Sequence, residues 1–360
     1  MNFLLATGAG TAERLRRRVL GIPVALRALL QAVEAGAAEI EVSGPHANML
    51  LDAAHDARVT VPVRAYADAR RERIVVEANA LVAPELLRAL QPGEALLADN
   101  EHLVAARKAF RPGDKPTTPL AGLPVLEYPK GDKLWAVFLL DEGDAVRAER
   151  ALLRAQTEPS DAWLTRNIFR RVGLPLVRVG ARVGMPPSSV TALALVLALV
   201  AARLLAQGHG GAPWLGALLG LVSLVLSSVD GPLARVTHRV SPTGAALSRV
   251  VSDATVILLG AGALFGVMER GVGAPVEWLT PLVVGGAAAW LVSVAVLDVR
   301  FGAEPRPSAK SWIDQAVHRD TVVLLVIAAA LTGLAQVAAT VWLAAAAGRL
   351  VRAGLSSSVR

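Results

Sequence analysis

The sequence predicts an α/β domain followed by an all-α domain of six transmembrane helices. Three observations predict it. The chain has 360 residues, enough for two domains. It is 54% hydrophobic with a mean hydropathy of +0.48, too apolar for an ordinary soluble protein. Charges are spread through the chain up to about Ser160, whereas after about Ser188 it becomes a series of long apolar segments.

Composition also excludes several functions. With no cysteine, disulfides, thiolate catalysis and Cys-ligated metals are ruled out. The six histidines form no ligand pair at helical spacing. The net charge of +7, in a membrane protein, fits cytoplasmic flanks and anionic lipid or phosphate partners, and no nucleic acid is expected. MNFLLATGAG lacks a basic leader and a long apolar core, so no signal peptide is expected.

The α/β domain is expected over residues 1–155. Phe3–Ala6 suits a buried strand, and Gly8-Ala9-Gly10-Thr11 follows it as a turn. Backbone N–H groups converge in such turns, which suits phosphate. Pro23–Ala35 reads as a helix and Glu39–Val42 as a second strand. Residues 156–186 are expected to form an interfacial amphipathic helix and linker. There Trp163, Ile168, Phe169, Val172 and Leu176 alternate with Arg166, Arg170, Arg171, Arg178 and Arg182. That suits a helix in the membrane interface, its arginines facing headgroups or a phosphorylated substrate. A basic linker is the alternative.

The membrane domain is expected over residues 187–360. A span needs about 20 mostly apolar residues. The candidates are Ser188–Ala206, Pro213–Val229, Gly244–Met268, Trp278–Leu297, Thr321–Gly333 and Leu334–Leu350. The last two read as one long helix, two short ones or a hairpin, and two are chosen. Alternate loops then carry the charge: Arg235 and Arg239, then Arg300, Arg306, Lys310 and Arg319, then Arg352 and Arg360, against Arg270 alone on the other side. This bias predicts a multi-pass protein of the inner (cytoplasmic) membrane with both termini in the cytoplasm.

Polar residues gather at the end of the second span and the start of the third. DGPLAR occupies Asp230–Arg235, and Gly244, Ser248 and Ser252 follow. This resembles the signature of the CDP-alcohol phosphotransferase family, D-x-x-D-G-x-x-A-R, eight residues, then G-x-x-x-D-x-x-x-D. Asp230, Gly231, Ala234, Arg235 and Gly244 match, with the eight-residue gap Val236–Thr243 intact. MPPSSVTAL at Met185–Leu193 resembles the P-N-x-V-T that precedes the family's first span. The resemblance covers about Asp161–Leu350. It implies transfer of a phospho-alcohol from a CDP-alcohol to a lipid or phospho-alcohol acceptor, with Mg²⁺ or Mn²⁺ on the aspartates, and a possible homodimer. Carboxylates four residues apart share one helix face, and divalent metal neutralises the pyrophosphate.

This chain departs from that pattern. The expected aspartates at 227, 248 and 252 are Ser227, Ser248 and Ser252, leaving Asp230. A serine hydroxyl is a poor Mg²⁺ ligand and no base near neutral pH. Asp253 is one residue late, about 100° round the helix. Asp230 and Asp253 are the candidate catalytic and metal-binding residues, and Asp298 is another possible donor. Gly231, Ala234, Arg235, Gly244, Ser248, Arg249 and Ser252 are the candidate substrate-binding residues, with Arg249 expected to pair with Asp230 or Asp253.

The N-terminal half resembles sugar-nucleotide nucleotidyltransferases, which are Rossmann-like. They open with a strand, G-x-G-T, an arginine, G-x-P and a helix ending in A-G. Gly8, Gly10, Thr11, Arg14, Gly21, Pro23, Ala35 and Gly36 fit. Gly8, Gly10, Thr11 and Arg14 are the candidate nucleotide-binding residues, and Asp99 in ALLADNEHL the candidate metal ligand. Val24 stands where that family has lysine. The order of halves resembles fused cytidylyltransferase–CDP-alcohol phosphotransferases that make inositol phosphodiesters. Two expectations follow: a phosphotransferase of impaired activity, or a non-catalytic relative binding a nucleotide, a lipid headgroup or a partner protein.

Overall fold

The computed structural model describes residues 1–8, 11–66, 72–98, 101–109, 123–128, 133–156, 165–270, 284–288, 290–292, 319–332 and 334–355. Two compact units divide the chain. The first is Met1–Gln156 with the short segments Ala181–Gly184 and Arg235–Arg239. The second is Thr157–Gly180, Met185–Ala234 and Val240–Arg360. Gly10, Asp99, Trp163 and Asp298 lie outside the described residues.

In the first unit, β1 (Asn2–Ala6) leads to α1 (Ala12–Arg16), the two-residue strands β2 (Arg18–Val19) and β3 (Ile22–Pro23), α2 (Val24–Glu34) and β4 (Glu39–Ser43). Then come α3 (Ala47–Ala53), β5 (Val63–Ala65), β6 (Glu72–Glu77), β7 (Ala80–Val82), α4 (Pro84–Ala89), β8 (Ala95–Leu97), β9 (Leu103–Ala109), β10 (Ala136–Phe138) and α5 (Glu142–Arg154). The expected strand, helix and second strand at the start of the chain are therefore present within two residues at each end. α5 is fixed at its start by a capping box, with Asp141 accepting from the Asp144 N–H at 2.8 Å.

The main sheet has the order β5-β4-β1-β6-β9-β8. β5, β4, β1 and β6 are parallel, and β9 runs antiparallel between β6 and β8. Parallel strands are covered on both faces, which is why β1 is a continuous apolar run. The chain steps outward from β1 to β4 and β5, then returns to β6 on the other side of β1. That reversal places a topological switch point at the carboxyl ends of β1 and β6, where open α/β sheets bind ligands.

The second unit begins with a π-helical turn (Thr165–Phe169) running into α6 (Arg170–Arg182), so the expected interfacial segment is helical. Among the described residues, three helical runs long and apolar enough to cross a membrane follow: α7 (Pro187–Ala206), the apolar run Ala212–Val236, and α10 (Pro242–Glu269). The middle run is two helices, α8 (Ala212–Ser227) and α9 (Asp230–Val236), parted by a turn at Ser228–Val229. These correspond to the first three expected spans. Of the fourth, residues 284–288 and 290–292 are described, and they are helical. The last two are separate helices, α11 (Arg319–Leu331) and α12 (Ala335–Leu355). α11 has 13 residues, below the roughly 20 that cross a bilayer upright.

α7, α8 and α10 pack closely because small residues let their backbones approach, the usual means of association where lipid removes the hydrophobic drive. A Cβ on Gly262 would meet the Ala202 carbonyl, and one on Gly266 would collide with the Leu205 carbonyl. The core gathers Leu224, Val256, Leu259, Val326, Ile327 and two stacked indoles, Trp290 and Trp342, with ring centroids 5.6 Å apart.

Gly44, directly after β4, has φ +97°, and a Cβ there would collide with the Thr7 carbonyl at the end of β1. Gly44→Ala is expected to cost about 1–3 kcal/mol and to lower the melting temperature of the purified full-length protein, measured by differential scanning fluorimetry.

Candidate functional site

The membrane-unit site is built on the break in the second span. α8 ends at Ser227, and Asp230 is the first residue of α9, where the helix dipole favours negative charge. Asp230 is buried, and each carboxylate oxygen has a partner. The Gly231 N–H donates to Oδ1 at 2.6 Å, and the Thr191 hydroxyl of α7 donates to Oδ2 at 2.8 Å. Thr191 also lies 3.2 Å from the Pro187 carbonyl, but it has one proton, and the shorter bond to the charged acceptor takes it. Arg170, on α6 and buried, donates to the Ser228 carbonyl at 3.1 Å. A cation therefore sits at the carboxyl end of α8, where that dipole favours it. Beside these groups, Gly173 and Gly180 of α6 pack on Val229 and Leu233.

The remaining motif residues fall into two environments. Ser252 and Asp253 on α10 are buried, and Ser227 carries a buried hydroxyl with no hydrogen-bond partner. Ser248 and Arg249 are half-buried, and Gly244 is exposed in the first turn of α10, its N–H donating to Ser241 Oγ at 3.0 Å. Gly231 and Ala234 are half-buried. Arg235 belongs to the first unit, where its Nε donates to Gln156 Oε1 at 2.8 Å. Among the described residues, no group of three or more His, Asp or Glu side chains converges as a metal site. With Asp230 engaged on both oxygens and serines at 227, 248 and 252, the side chains present do not fit a pair of divalent ions.

In the first unit, Thr7 and Gly8 follow β1 at the switch point of the sheet. Thr11 is buried, and its hydroxyl donates to the Gly8 carbonyl at 2.8 Å. Thr7 donates to the Ser43 carbonyl at 2.9 Å and accepts from the His46 N–H at 3.1 Å, which ties the ends of β1 and β4 together. Arg14 is half-buried on α1. Glu77 ends β6 in register with Ala6, and burial pushes its carboxyl above the usual carboxylate range. Glu77 thus stands at the carboxyl end of β6, one of the two strand ends that flank the switch point.

The same unit contains a buried basic cluster. Arg27 of α2 has no exposed surface, and its Nη2 donates to the carbonyls of Val19 and Val236 at 2.8 and 3.1 Å. Burial first, and the Arg58 charge second, lower its pKa to about 9. Arg58 grips both oxygens of Asp56 at 2.8 Å and donates to the Thr237 carbonyl at 2.8 Å. Burial, then the charges of Arg27 and Arg58, lower the pKa of His238 to about 3, so its 3.5 Å contact with Glu34 is not an ion pair at neutral pH. A cavity of about 170 Å³ lies alongside, lined by Gln31, Glu34, Lys133, Trp135, Arg235 and His238 among others.

Sequence reading missed Thr191, Arg170, Glu77 and Arg27. Thr191 stood inside MPPSSVTAL, already read as family-like, and its partner is 39 residues away. Arg27 was not legible, because with Gln31 and Glu34 it reads as the polar stripe of an amphipathic helix. Arg170 was read as one of a row of interfacial arginines, and nothing local marks Glu77. No protein-family model matches this chain, and no curated protein sequence matches it.

Two outcomes follow. Thr191→Val removes the hydroxyl while keeping the shape and leaves Asp230 Oδ2 unpaired in an apolar bundle. It is expected to destabilise the detergent-solubilised protein by about 1–3 kcal/mol, with Thr191→Ser recovering most of the loss. His238 is neutral when folded, so its contribution is complete above pH 6.5 and is lost as pH falls from 6.5 toward about 3. His238→Gln is expected to flatten that limb of the melting temperature against pH, leaving stability at pH 8 little changed.

Proposed function

We propose that this chain is a membrane protein built like a CDP-alcohol phosphotransferase but lacking its chemistry, with a nucleotide-binding N-terminal domain. The observation that carries this reading is the state of Asp230. In DGPLAR it follows the second expected span, Pro213–Val229, yet both its oxygens are bound within the protein. The chemistry of the resembled family needs several free carboxylates on one polar cavity. Ser227, Ser248 and Ser252 offer hydroxyls instead, and a hydroxyl neither carries the charge that binds divalent metal nor accepts a proton near neutral pH.

In this proposal the remaining spans are Trp278–Leu297, Thr321–Gly333 and Leu334–Leu350, making six, with both termini in the cytoplasm. The nucleotide would meet the turn from Gly8 to Thr11 at the carboxyl end of β1. Support comes from the switch point of the sheet and from the Thr11 hydroxyl bonded to the Gly8 carbonyl. The ligand class is a cytidine nucleotide or CDP-alcohol, inferred from the paired resemblance of the two halves. The role is then binding, of nucleotide or lipid headgroup, in place of transfer.

Purified wild-type protein is expected to release no CMP from a panel of CDP-alcohols with Mg²⁺ or Mn²⁺. Turnover that disappears in Asp230→Asn or Asp253→Asn would falsify this reading. Combining Ser227→Asp, Ser248→Asp and Ser252→Asp is expected to raise Mn²⁺ affinity at least tenfold, about 1.4 kcal/mol, read by paramagnetic relaxation. Asp230 can exchange its internal partners for metal once neighbouring carboxylates are restored.

A further inference from the structure

α6 has three faces, and one of them is uncovered. Phe169, Gly173, Val177 and Gly180 form a buried face. Val172, Leu176 and Val179 are 54%, 44% and 59% exposed, and Ile168, one turn earlier, is 43% exposed. At about 100° per residue, the three valine and leucine side chains fall within an arc of roughly 60°. Arg171 and Arg178 lie beyond that arc, about 100–120° round the helix from Val172, with Arg171 exposed and Arg178 half-buried. The order round the helix is therefore packed face, apolar exposed stripe, arginines. A solvated helix of a soluble protein has no reason to keep such a stripe, since its outer face is normally polar.

We infer that this stripe is a docking surface for an anionic bilayer, with the exposed Arg171 on the phosphates. Two further observations select this occupant. α6 ends at Arg182, and the first apolar span begins at Pro187, so only four residues part the helix from a segment long enough to cross the membrane. At about 3.5 Å per residue, that connection keeps the end of α6 close to the interfacial layer. The second is Pro175, inside α6, which has no N–H to donate to the Arg171 carbonyl. That carbonyl needs water or a polar headgroup, available in the interface and absent from hydrocarbon. Apolar side chains to the acyl boundary and arginines to the headgroups is the arrangement of an interfacial helix, and cationic flanks favour anionic lipid.

The chain has no cysteine, so single labels can be placed in the full-length protein without other changes. Nitroxides at Val172→Cys and Leu176→Cys are read in bilayers containing phosphatidylglycerol, with Val196→Cys on α7 as the lipid reference and Arg64→Cys as the water reference. Collision with oxygen over a water-soluble nickel complex is expected to fall nearer the Val196 value. A value nearer Arg64 overturns the docking, as does shielding from both reagents with spin–spin broadening, which would mean a second copy of the chain covers the stripe. For the lipid choice, a fluorophore at position 172 is quenched by spin-labelled phosphatidylglycerol or phosphatidylcholine. Arg171→Gln is expected to lower the preference for phosphatidylglycerol roughly fivefold. An unchanged preference overturns the anionic partner.

Discussion

A carboxylate kept inside an apolar helical bundle is the constraint on which the membrane unit turns. Removing a charge from water costs several kcal/mol unless partners replace the lost hydration. Asp230 finds them in the Thr191 hydroxyl and the Gly231 N–H, and it finds the latter because α9 starts at Asp230 itself. A continuous span through Ser228 and Val229 would leave that N–H bonded to a carbonyl one turn back. The break therefore satisfies the carboxylate, and α6 satisfies the break. Arg170 takes the Ser228 carbonyl, while Gly173 and Gly180 let α6 approach Val229 and Leu233. Each of these features has a physical reason once Asp230 is retained, and none of them needs a metal.

The first unit handles its own buried charge differently. Arg27 is surrounded by Arg58 and His238 on one side and reached by the charges of Glu149 and Glu34 on the other. Its hydrogen-bonding partners are neutral carbonyls, of Val19 and Val236. Carbonyl acceptors stabilise a guanidinium without offsetting its charge, and the strain appears in the neighbouring imidazole, held neutral far below its ordinary range. At the opposite kind of site, the switch point of the sheet, backbone geometry governs. The Thr7 hydroxyl fastens the ends of β1 and β4, and the Thr11 hydroxyl bonds back to the Gly8 carbonyl.

Much of the architecture was legible in the sequence. The change from dispersed charge to long apolar runs located the membrane unit, because apolar length is set by bilayer thickness and needs no tertiary information. β1, α2 and β4 were readable from local periodicity, and the first three spans from hydropathy. Ambiguity persisted where segments were short: Val322–Leu334 and Val337–Leu350 read equally as one helix or two. The end of α11 at Leu331 is set locally, with the Thr332 hydroxyl donating to the Ala328 carbonyl at 2.9 Å. The antiparallel place of β9 was not legible, since pairing direction depends on which strands meet.

The sequence by itself determined which groups were available: one aspartate and three serines across the motif, no thiol, a basic and apolar stretch before the first span. These are matters of covalent identity and spacing. Only the tertiary structure decided what those groups do. Asp230 could have faced an open polar cavity or been taken up internally, and Thr191, 39 residues earlier, decides it. Arg170 could have been one more interfacial cation, but packing turns it inward to the end of α8. Arg235 could have been one more cation of the loop after the second span, but it bonds Gln156, 79 residues earlier. In each case the partner lies far away along the chain, and hydrogen-bond satisfaction in a low-dielectric interior is a property of the assembled neighbours, which no local pattern encodes.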